Sequence, residues 1–67
     1  MGWDQIEGEW KQMKGKVKES WDKFTDDDLL VIGGKRNRLI GLIQLKYGYA
    51  KEEAEKQIRQ WESGLHL

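Results

Sequence analysis

The chain contains no cysteine and no proline, and its only histidine, His66, is the penultimate residue. Without cysteine, neither disulfides nor thiolate metal sites can reinforce the fold, which is compatible with a reducing compartment. With one imidazole in the tail and only Ser20 and Ser63 as serines, a nucleophile–base pair has almost no candidates. Acid–base chemistry on carboxylates alone needs a concave, desolvated pocket, which so short a chain can hardly enclose. The expectation is a non-enzyme with no catalytic residue, no metal site and no cofactor. Long apolar runs are missing too: none approaches the roughly 20 residues of a membrane helix. The start, MGWDQIEGEW, has no basic leader followed by an apolar stretch. A soluble, cytoplasmic protein with no membrane partner is expected.

What is present points to one small folded domain over residues 1–67. A chain of this size has a single core, which supplies only a few kcal/mol of net stability. Charged residues make up 36%, a fraction that suits a disordered protectant, but four Trp, two Tyr and one Phe argue for a packed core. The formal net charge is zero, yet the signs are unevenly placed. Residues 25–34 carry Asp26, Asp27 and Asp28 with no base, and residues 35–48 carry Lys35, Arg36, Arg38 and Lys46 with no acid. The flanking segments are nearly balanced, as solvated helix faces usually are.

Periodicity is strongest in the first third, where Trp3, Ile6, Trp10, Met13, Val17, Trp21 and Phe24 recur at steps of three and four. At 100° per residue these side chains fall within an arc of about 80°, which predicts one amphipathic helix over residues 3–24. Gly8 and Gly15 lie on the opposite face, and Gly15 is the expected place for fraying or a bend. Asp4, with Glu7 three residues on, is the expected N-terminal cap.

The stretch KFTDDDLLVIGGKR, residues 23–36, raises the question of a site. Thr25 suits an N-cap, and acids at the next three positions face the unpaired N–H groups and positive end of a helix. A metal reading needs convergent carboxylates, whereas adjacent helical residues diverge by 100° and the alternating acids of a calcium loop are missing. Capping therefore accounts for TDDD. LLVI reads as one or two helical turns, apolar all round and so expected to be buried. Gly33-Gly34 ends that helix.

The next helix runs from Lys35 to about Tyr47, with Gly48 as its C-cap. Leu39, Ile40, Ile43 and Tyr47 share one face, while Leu42 lies on its flank and Leu45 nearly opposite. This helix is either sandwiched between neighbours or leaves an apolar spot exposed. The last helix aligns Ala50, Ala54, Ile58 and Trp61, with Leu65 continuing the stripe beyond Gly64. Trp10, Trp21 and Trp61, each on an apolar stripe, are expected in the core.

The block GEWKQMKGKVKESWDKFTDDDL and the segment GKRNRLIGLIQLKYGYAKEEAEKQIRQWE together resemble the CsbD-like family. The resemblance implies an all-α bundle of about four helices, bacterial origin, and a group linked to general stress responses with no established activity. It carries over no functional residue. The family commonly shows an acid where this chain has Gly33, and polar residues where it has Leu42 and Leu45.

Two kinds of binding are therefore weighed. A glycine turn opening a helix that begins Lys35-Arg36 presents N–H groups and charge to a phosphate, which makes the Gly33-Gly34-Lys35-Arg36 turn the basis of a nucleic-acid alternative. Against it, Arg36 shares a face with Leu39 and Ile43, and the neighbouring aspartates repel a polyanion. The apolar substitutions favour association instead. The candidate binding surface is Lys35, Arg38, Leu42 and Leu45, and the reading is a stress-associated protein that acts by binding, with weak self-association, or as an abundant protectant.

Overall fold

The computed structural model describes residues 2–65. Five helices follow one another: α1 (Trp3–Gly8), α2 (Trp10–Ser20), α3 (Asp26–Ile32), α4 (Arg36–Tyr47) and α5 (Lys51–Ser63). The domain is all-α, as expected, with one more helix than expected. The extra helix comes from a break in the first third, which falls at Glu9 rather than at Gly15. Glu9 leaves helical geometry (φ −110°, ψ 25°), and its carbonyl accepts from the N–H groups of Gln12 and Met13, which starts α2. Gly8, just before it, lowers the cost of interrupting the helix there. The first helix is entered from Gly2 with no side-chain cap, so the expected Asp4 cap is replaced by a simple acid in the first turn.

The apolar stripe nevertheless stays buried through the break: Ile6, Met13 and Val17 face inward from α1 and α2. It also outlasts the helix. The last turn ends at Ser20, with the Trp21 N–H on the Val17 carbonyl (2.9 Å), and Phe24 closes a turn back onto Trp21 (3.2 Å). Both rings remain in the core although the backbone has left helical geometry, because the turn returns them to the same side.

Thr25 caps α3 as expected. Its hydroxyl accepts from the Asp28 N–H at 3.2 Å, and the Asp28 carboxylate accepts from the Thr25 N–H at 2.9 Å. Gly33 ends the helix at φ 54°, and Gly48 ends α4 at φ 70°, both in the left-handed region. The expectation that LLVI is wholly buried fails. Leu29 and Ile32 are in the core, but Leu30 and Val31 are 67% and 56% exposed. A helix of seven residues has neighbours on one side only, and positions 30 and 31 are turned 100° and 200° from Leu29.

The core gathers Leu39, Ile40 and Ile43 from α4 with Ala54 and Ile58 from α5, and the small Ala54 side chain lets these two helices approach closely. Trp21 is fully within it, while Trp10 and Trp61 are half-buried against it. Every aromatic except Trp10 belongs to one chain of ring contacts, Trp3–Trp61–Trp21–Phe24–Tyr47–Tyr49, with centroids 5.6 to 6.3 Å apart. Among the described residues no helix is long and apolar enough to cross a membrane. His66 lies outside the described residues.

Candidate functional site

The Gly33-Gly34 turn is shaped by what it packs against. Gly34 is buried at φ 83°, and a Cβ there would stand 2.5 Å from the Cα of Glu7. The turn therefore sits directly under α1, which the break at Glu9 separates from α2. Lys35, at the N-cap of α4, pairs with the Glu7 carboxylate. Arg36 lies half-buried between Glu55 (3.8 Å) and Glu62 (3.9 Å) of α5, and Glu62 also accepts from the Trp3 indole N–H at 2.6 Å.

The other two bases of this segment are engaged as well. Arg38 donates to the Val31 carbonyl at 3.1 Å, satisfying an otherwise unpaired group near the end of α3. Lys46 reaches Asp28 at 3.0 Å. The Thr25 backbone N–H and the Lys46 ammonium together hold the Asp28 carboxyl below its ordinary value. The uneven charge seen along the sequence is thus a pattern of folded pairing: each base of residues 35–48 finds an acid or a carbonyl on another helix. Pairs at a solvated surface contribute little to stability, so they orient α4 more than they stabilise it.

Lys35, Arg38, Leu42 and Leu45 recur at steps of three, four and three, which brings all of them onto one outward stripe of α4. Leu45 is 75% exposed, whereas Leu42 is half-buried against the core, so the pair is only partly free. Gly41 is exposed on α4, and nothing lies within 4 Å of where its Cβ would be. The sandwiched alternative for this helix is excluded by the exposure of Leu45.

The sequence reading missed a second apolar feature, the outer side of α3 with Leu30 and Val31. No local signal marks it, because α2 and α4 both pack on the Leu29 and Ile32 side of α3 and leave the other side open. Among the described residues no group of acids and imidazoles is arranged to hold a metal.

These features define a small helical bundle with ion pairs between helices at its surface and apolar residues left on its outer helices. Residues 4–56 match the model of the CsbD-like family. Among curated relatives, the UPF0337 protein ECA0631 of Pectobacterium atrosepticum is 61% identical over 62 residues, covering 92% of this chain and 90% of that protein. The UPF0337 protein YjbJ of Escherichia coli is 56% identical over 63 residues, or 94% and 91% of the two chains. A third, the UPF0337 protein NE2439 of Nitrosomonas europaea, is 57% identical over 58 residues, covering 87% of this chain and 62% of that protein. The chain belongs to the CsbD-like family.

Proposed function

We propose that this CsbD-like protein is a non-catalytic, cytoplasmic, stress-associated protein that acts by binding, and that the outer face of α4 carries weak self-association. The observation that carries this reading is Leu45, a large apolar side chain 75% exposed on the stripe of Lys35, Arg38 and Leu42. One exposed leucine is ordinary, but here it adjoins a half-buried leucine and an open Gly41, where another helix can approach the backbone closely.

Charge argues for a second copy as the occupant. Asp28 of α3 pairs with Lys46 of α4, so the acidic start of α3 lies at the end of α4, while Lys35 and Arg38 lie at its beginning. Most of these charges are paired within the chain, which leaves Asp27 at one end of the α3–α4 hairpin and Arg38, held by a carbonyl, at the other as the groups without an ion-pair partner among the described residues. Two copies meeting antiparallel across α4 set each basic end against the other's acidic end, with the leucines between.

The nucleic-acid reading of the Gly33-Gly34-Lys35-Arg36 turn is less well supported. Glu7 covers the turn and pairs with Lys35, and Arg36 is held by two glutamates. Sedimentation over a range of concentration tests the proposal, with a fluorescent oligonucleotide as the competing arm. Self-association that disappears in Leu45→Lys supports it; oligonucleotide affinity that falls steeply with salt supports the rival. A pull-down from stressed and unstressed cells, with nuclease treatment, separates protein partners from nucleic-acid bridging.

A further inference from the structure

A groove of about 380 Å³ runs between α2 and α3, lined by Lys14, Gly15, Lys18, Asp26, Leu29 and Leu30. It lies on different helices from the α4 stripe. Leu29 forms its buried floor and is fixed there by the Trp10 indole N–H, which donates to the Leu29 carbonyl at 2.9 Å. Leu30 stands along one wall, exposed over most of its surface. On the other wall Gly15 has no side chain, and no atom lies within 4 Å of where its Cβ would be, so the α2 backbone is open to close approach.

The rim has a definite charge. Lys11, Lys14 and Lys18 recur at three and four along α2 and so share one face, in a stripe about 10 Å long. Lys18 meets Asp26 at 3.7 Å, while Lys11 and Lys14 pair with no carboxylate among the described residues. The whole of α2 has Lys11, Lys14, Lys16 and Lys18 against the single acid Glu19. The groove thus combines an apolar floor and wall with a basic edge on which Lys14 is unpaired and Lys18 holds Asp26, the one acid of the lining, and Lys11 continues that edge one turn beyond the lining.

We infer that this groove docks an acidic amphipathic helix of another protein. Apolar side chains of that helix, spaced three and four apart, cover Leu30 and enter above Gly15, and its carboxylates face Lys11 and Lys14. The length of the basic stripe selects an elongated occupant over a small carboxylate, which engages one lysine and leaves the rest unused. The concavity and the leucine wall select a helix over a nucleic-acid backbone, which gains nothing from Leu30.

The test is a titration of the ¹⁵N-labelled full chain with a synthetic helical peptide of about 15 residues, Leu on one face and Glu flanking it. Amide shifts concentrated in residues 14–18 and 26–30 are expected. Lys14→Glu should weaken binding by about fivefold, the upper range for one exposed charge contact, and Leu30→Asp by about tenfold. Leu30 is exposed and Lys14 partly so, and neither belongs to the core, so circular dichroism melts should stay close to wild type. The inference is overturned by equal binding of a peptide with Lys in place of Glu, by shifts confined to the outer face of α4, or by no shift at millimolar peptide. Co-sedimentation with anionic phosphatidylglycerol vesicles while the peptide causes no shift also overturns it, in favour of a membrane surface. Leu45→Lys leaves peptide binding unchanged if the two surfaces are separate, so failure here is distinguishable from failure of self-association through α4.

Discussion

Gly34 and Glu7 meet backbone to backbone, with the Glu7 Cα 2.5 Å and its Cβ 3.1 Å from where a Cβ of Gly34 would lie. Only glycine fits, for two separate reasons: the left-handed φ of 83° and the presence of α1. Since α1 brings in Ile6 and Trp3, the turn and the first helix are packed as one unit.

Substitution at the two glycines should therefore differ. Gly33→Ala meets only left-handed strain, about 1–2 kcal/mol, because its new Cβ would lie 3.6 Å from the Leu30 carbonyl oxygen. Gly34→Ala adds the displacement of α1, for a total of about 2–5 kcal/mol. Urea denaturation of both variants decides it; equal losses would show that α1 does not bear on the turn.

The cap of α3 makes a second prediction. Thr25→Ala should lower stability by about 1 kcal/mol. The folded Asp28 carboxyl is held below its ordinary value of 3.8, so the stability it contributes is present above that value and is lost as pH falls through the lowered folded value. Acid unfolding of Asp28→Asn should accordingly be shallower in that range than that of wild type. Millimolar calcium or magnesium should leave the melting temperature unchanged, because the three aspartates diverge around the helix; a large metal-dependent rise would overturn the capping account.

The aromatic chain predicts a contrast between two tryptophans. Trp21 touches both Phe24 and Trp61 and is buried, so Trp21→Ala should cost about 3–5 kcal/mol, enough to unfold a domain of this size. Trp10 is half-buried and outside the chain. Trp10→Phe keeps most of its packing and loses the hydrogen bond to the Leu29 carbonyl, an expected loss of about 1 kcal/mol in thermal or urea unfolding. A Trp21→Ala protein that melts cooperatively near the wild-type temperature would show that the ring contacts do not hold the core.

Most helix positions, the caps at Thr25, Gly33 and Gly48 and most buried residues were legible because they depend on local patterns: the three-four recurrence of apolar residues, Thr25 before three acids, and glycines at 33 and 48. The break at Glu9 was not. It depends on Glu7 packing over Gly34, a contact between segments far apart in the chain, and no local signal separates Gly8 from Gly15. Leu30 and Val31 were misread for a related reason, since an all-apolar turn is buried only if neighbours surround it. Lys35, Arg38, Leu42 and Leu45 were singled out by residue type, as two bases and two leucines, and the partners of the two bases, Glu7 and the Val31 carbonyl, come from other helices that no local pattern shows.

Leu45→Lys is the most direct probe of the α4 surface. At 75% exposure the lysine stays in water, so the melting temperature should change little. Ile43, two residues earlier and fully buried, supplies the contrast: Ile43→Ala should cost about 2–5 kcal/mol through the cavity it leaves. If copies pair across α4, Leu45→Lys should lower the sedimentation-derived mass at high concentration while keeping the fold, and moderate salt should weaken the wild-type assembly by screening its complementary ends. A wild-type chain that stays monomeric to millimolar concentration, together with a harmless Leu45→Lys, would leave Leu45 an ordinary surface residue and remove self-association from the protein's mode of action.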